Sequence, residues 1–71
     1  MDILVFKTDV TNEKAVRSLR PYLREVEGII KWNVDLHDCD KVLRVESQNL
    51  SANAIECLLQ DAGYYCKELD D

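Results

Sequence analysis

The side chains able to ligate a soft metal or to act as nucleophiles are few: one histidine, His37, and three cysteines, Cys39, Cys57 and Cys66. His37 and Cys39 stand two residues apart in the stretch HDCD, where Asp38 and Asp40 flank the thiol with carboxylates. Imidazole and thiolate are ligands that suit zinc or Cu(I). Zinc asks for four ligands, and Asp and His are also ordinary residues of a solvated turn, which is the plainer reading of HDCD. Nothing in the sequence marks Cys57 or Cys66 as an activated thiol, so neither is assigned as a nucleophile.

A second constellation is DVTNEKAV, Asp9 to Val16, at a strand-to-helix junction. Asn12 and Ala15 stand three apart behind Thr11, the spacing of a site without a reactive group. Phosphate-ester or acyl-phosphate hydrolysis on such a loop needs backbone donors and a cation aimed at the developing charge. This loop has no glycine and sets Asp9 and Glu13 beside a single Lys14, so the chain is read as a non-enzyme.

The elements that position these residues follow from periodicity. Ile3 to Phe6 is a short apolar run within a buried strand, expected over Asp2 to Thr8. Val16, Leu19, Leu23 and Val26 trace one helical stripe, capped at its start by Thr11 or Asn12 and ended by Gly28. Pro21 lies within that helix and should bend it without dividing it. Ile30, Trp32, Val34 and Leu36 alternate with polar residues as the next strand, HDCD is the turn, and Leu43 and Val45 belong to the strand that pairs with it. Ser51 caps a second helix with Ile55, Leu58, Leu59 and Ala62 inward, Gly63 stops it, and Tyr64 to Leu69 forms the last strand before Asp70 and Asp71.

This βαββαβ order predicts an α+β, ferredoxin-like sandwich: a four-stranded antiparallel sheet with two helices on one face. Right-handed crossovers place strands one and three in the centre. DVTNEKAV, HDCD and AGYY then share one rim, with the first two about 10 Å apart across strand three. Trp32 and Tyr64 are expected to pack in the core, as is Cys66, whereas Cys57 is partly exposed.

With 71 residues, the chain is expected to be one domain, 1–71. A net charge of -5 argues against nucleic acid, which needs clustered cations on one face. Four consecutive apolar residues near the N-terminus are too few for a signal peptide or a membrane span, which takes about 20. Three cysteines cannot all pair within one chain, so reduced thiols and a cytoplasmic location are expected. Lys31, Asn33 and Asp35 make the edge strand polar, which favours a monomer or a weak dimer.

Over nearly its whole length the sequence resembles the heavy-metal-associated domain family. DVTNEKAVRSLRPYLREVEGI falls without a gap on the pattern of a strand leading into GMTCxxCV and an apolar-spaced helix. FKTDVTN is similar to the start of copper chaperones, and WNVDL, DKVLRVE and LSANAIECLLQDAGYYC resemble the remainder. The combination looks most like small stand-alone bacterial members.

Carried over by position, the resemblance places the family's methionine on Val10, its threonine on Thr11 and its two cysteine ligands on Asn12 and Ala15. Paired thiolates at that spacing hold Cu(I) or a soft divalent ion. A neutral carboxamide is a weak, hard ligand and alanine is none, so no metal is expected at Asn12 and Ala15 and no cofactor is expected. The resemblance thus implies a metallochaperone-like domain with a degenerate metal loop, serving as a protein-interaction or regulatory module in metal handling. The alternative is a metal-binding or transport protein that holds Cu(I) or zinc through His37 and Cys39, or through a site shared across a dimer. In copper chaperones basic helix residues steer docking to acidic partner domains, which points here to Lys14, Arg17 and Arg24. The plainer reading of those cations is a solvated face balanced by Glu13 and Glu25, with Glu13 and Arg17 as an i,i+4 pair.

Overall fold

The computed structural model describes residues 2–69, so the acidic pair Asp70 and Asp71 lies outside the described residues. The elements run β1 (Asp2–Thr8), α1 (Glu13–Arg24), β2 (Ile29–Asp35), β3 (Val42–Ser47), α2 (Ala52–Asp61) and β4 (Cys66–Glu68). The four strands form one antiparallel sheet in the order β2-β3-β1-β4, the ferredoxin-like arrangement expected from the sequence.

Strand pairing aligns the inward-facing residues in rows. Leu4 lies opposite Val45, which lies opposite Trp32; Phe6 lies opposite Leu43, which lies opposite Val34. Because side chains alternate along each strand, the rows point to one face of the sheet. Leu19 and Leu23 from α1 and Ile55 and Leu59 from α2 close over Phe6, Leu43 and Val45 to form the core, with Val10 and Cys66 at its margin. Trp32 and Tyr64 are half-buried against that core, and Cys57 is exposed.

Three features differ from the sequence reading. α1 is one helix through Pro21, but it stops at Arg24, with Glu25 as its C-terminal cap. Gly28, at φ +98°, serves a different purpose: its carbonyl accepts from the Gln48 N–H at 2.8 Å, and a Cβ there would stand 2.6 Å from the Gln48 oxygen. The glycine therefore permits the turn into β2 to approach the β3–α2 loop.

In β2 the register shifts between Ile29 and Lys31, so Ile30 is the extra residue of a bulge and is 56% exposed. Ile29 takes the inward place that plain alternation assigns to Ile30. β4 pairs only over Cys66 to Glu68, since Tyr64 and Tyr65 are still leaving α2. That helix ends at Ala62 with Gly63 at φ +94°, and the Tyr64 and Gly63 N–H groups return to the Leu59 and Gln60 carbonyls. These bonds make a Schellman C-terminus.

Candidate functional site

The β1–α1 loop is built around a buried residue and a cap. Val10 is fully buried, which anchors the middle of the loop in the core. Two residues on, Asn12 is the N-cap of α1 in extended conformation, and its Oδ1 accepts the Ala15 N–H at 2.8 Å. A cap of this kind satisfies one of the first-turn donors that a helix leaves free. Asn12 is exposed and Ala15 is half-buried, packed against the core. Of the two caps the sequence allowed, the structure uses Asn12. Glu13 in the first turn complements the positive end of the helix.

The three loops expected at one rim are joined there by hydrogen bonds. Thr8 donates its N–H to the Asp40 carbonyl at 3.1 Å and its Oγ1 hydroxyl to the Lys41 carbonyl at 2.6 Å. Asp9 Oδ1 accepts the Tyr65 N–H at 2.8 Å, and Ser18 Oγ lies 2.9 Å from the Tyr64 hydroxyl. The end of the β2–β3 turn thus reaches the foot of the first loop directly, because β3 lies next to β1. The separation of about 10 Å expected from strand spacing applies to β2 and not to Asp40 and Lys41.

The turn itself groups Asp38, Cys39 and Asp40, whose ligand atoms all lie within 4.8 Å of one another. His37, which the sequence sets two residues from the thiol, is not part of this group. Both carboxylates already have partners. Asp38 Oδ1 accepts the Asp40 N–H at 2.8 Å, and Asp40 Oδ1 lies 3.5 Å from Lys7 Nζ, the one ion pair among the described residues. Lys41, at φ +45°, donates its Nζ to the Leu36 carbonyl at 2.9 Å and closes the turn. Cys39 is exposed.

Cys66 is the opposite case: it is buried, and desolvation, helped by the charge of Glu56, pushes its thiol up to about 12. It stays a protonated core residue and no ligand.

On α1, Lys14, Arg17 and Arg24 are exposed, as is Arg20. The i,i+4 pair of Glu13 with Arg17 does not form. Arg20 and Arg24 flank a groove of about 590 Å³ between α1 and the edge strand β2. The sequence reading passed over Arg20; its signal was the four-residue spacing to Arg24, which sets both on one side of the helix.

Neither a family model nor a curated protein matches this sequence. Solved structures do. The yeast copper transporter domain Ccc2a, solved in apo and Cu(I)-loaded states, superposes with a TM-score of 0.81 at 21% identity over 97% of this chain and 96% of its own. The chain has the heavy-metal-associated domain fold. The N-terminal domain of ZntA in its Zn(II) form gives 0.78 at 21% identity, over 93% of this chain and 89% of that one. A chain of the Atx1–Cu(I)–Ccc2a complex gives 0.81 at 21% identity, over 97% and 96%. At such identities the likeness is one of fold, and the chemistry rests on this chain's own side chains.

Those side chains do not fit a soft metal at the α1 N-terminus. No two of the three cysteines are spaced three apart, and the junction itself offers a carboxamide at Asn12 and a methyl group at Ala15, neither a ligand for a soft ion. The Asn12 oxygen, moreover, is engaged by the Ala15 N–H. Among the described residues no helix is long and apolar enough to cross a membrane.

Proposed function

We propose that this chain is a heavy-metal-associated-type domain, 1–71, whose metal loop has become structural, and that it acts as a non-catalytic protein-interaction or regulatory module in metal handling. The observation that carries the reading is the hydrogen bond from the Ala15 N–H to Asn12 Oδ1. In the register set by the resemblance to GMTCxxCV, these are the two ligand positions, and here each completes the helix start for the other. The partner is an acidic protein domain that docks along the exposed side of α1 through Lys14, Arg17 and Arg24. The Atx1–Cu(I)–Ccc2a complex, in which a domain of this fold meets a partner, supports that assignment.

Native mass spectrometry of the reduced protein with Cu(I) and a competing chelator tests it. The expected result is no retained copper; a one-to-one complex that survives the chelator overturns the reading.

A second reading is favoured by one observation, the grouping of Asp38, Cys39 and Asp40. Three donors from one turn leave a tetrahedral ion incomplete, so a zinc site here would need a second copy's Cys39. Its test is a Zn(II) titration of wild type and Cys39→Ser: metal uptake that disappears in the variant favours this reading, and equal uptake removes it.

A further inference from the structure

The groove between α1 and β2 has three properties that together select an occupant. Its charged lining residues are Arg20, Arg24 and Lys31, all cations, in a chain whose formal net charge is -5. Its apolar lining includes Val16, Leu23 and Trp32, which belong to or pack against the core. Its remaining wall is β2, a seven-residue edge strand that has no partner on its outer side among the described residues. An unpaired edge presents a row of backbone donors and acceptors to any extended chain. The opposite edge, β4, is only three residues long.

We propose that this groove binds an acidic peptide in extended conformation, which adds to β2 as a fifth strand. Backbone pairing supplies affinity and alternate side chains supply specificity in such strand addition. Side chains on the helix side of the added strand face Arg20 and Arg24, and Lys31 meets those on the open side of the sheet. A second copy of this chain is the poorer occupant, because joining β2 to β2 brings two sets of the same helix arginines together. A flat anionic membrane or a duplex would also meet the acidic remainder of the surface.

The proposal goes beyond the partner-docking reading to a second surface, the groove, which shares only Arg24 with it and acts through Arg20 and Lys31 and not through Lys14 and Arg17. The copper test above is independent of it, so either can fail alone.

The probe is a nine-residue fluorescein-labelled peptide that alternates glutamate with valine, and the readout is fluorescence anisotropy. Arg20→Glu combined with Lys31→Glu is expected to weaken binding at least about fivefold, as rim charge reversals do, whereas Lys14→Glu with Arg17→Glu leaves it within about twofold. All four positions are exposed, and circular dichroism checks that both variants keep the fold.

A lysine–valine peptide is expected not to bind. Of two peptides N-methylated at alternate backbone nitrogens, one in each register, one is expected to lose binding because its strand-facing donors are blocked. The N-methylated pair leaves the protein unaltered, so the test holds even if a variant misfolds. The proposal is overturned by equal binding of both N-methylated peptides, by loss only in the Lys14/Arg17 variant, by binding of the lysine peptide, by no binding at all, or by a dimer in sedimentation that the Arg20/Lys31 variant abolishes.

Discussion

Asn12 and Ala15 carry the functional argument at the scale of single residues, and they can be converted back. If they occupy the ligand register, Asn12→Cys with Ala15→Cys places two thiols across the first turn of α1. The double variant is expected to retain one Cu(I) in native mass spectrometry where wild type retains none; failure to do so would show that the register is wrong. The conversion has a cost, since losing the Asn12 cap removes about 1 kcal/mol of stability, readable by urea denaturation of Asn12→Ala.

Cys66 gives a second residue-scale expectation. Its folded thiol is held up to about 12 against an ordinary 9.0, chiefly by burial. Below pH 9 both states are protonated and its contribution to stability is intact. Above that the unfolded chain releases a proton that the folded chain keeps, so stability falls with rising pH, at up to about 1.4 kcal/mol per unit. Urea denaturation between pH 8 and 11 should show a shallower fall for Cys66→Ala than for wild type. A thiol reagent at pH 8 should label Cys39 and Cys57 and spare Cys66 in the native state.

At the scale of elements, what was legible in the sequence were features with a local cause. β1 over Asp2–Thr8, a cap at Thr11 or Asn12, the cap Ser51 and the stop at Gly63 each follow from a residue type whose preference acts within a few positions. The Ile30 bulge, the early end of α1 and the shortness of β4 depend on which chain lies alongside, and no local pattern carries that information. The loop region divides the same way: a cap at Thr11 or Asn12 was readable from residue type, whereas the bonds from Thr8 to Asp40 and Lys41 and the groove beside Arg20 were not.

The two glycines make the distinction measurable. Gly28 and Gly63 both have positive φ, but a Cβ at Gly28 meets the Gln48 carbonyl oxygen at 2.6 Å and one at Gly63 meets nothing within 4 Å. Gly63→Ala should therefore cost only the backbone strain, about 1 kcal/mol, and Gly28→Ala clearly more. Equal losses in urea denaturation would contradict the close approach.

For the molecule as a whole, a chain of 71 residues has one small core and little reserve. Leu59 is fully buried on the inner face of α2. Leu59→Ala should remove about 2–5 kcal/mol from a total of about 5–15, enough to lower the thermal midpoint by more than 10 °C or to prevent folding. Surface changes on α1, including those used to test the groove, should leave the midpoint nearly unmoved. The bonds that join the rim span 33, 46 and 56 positions of sequence. Each joins segments distant in the chain, so the three exist together only where the sheet and both helices are assembled. The rim is thus a record of completed folding, and a partner that reads it engages only finished copies of the chain.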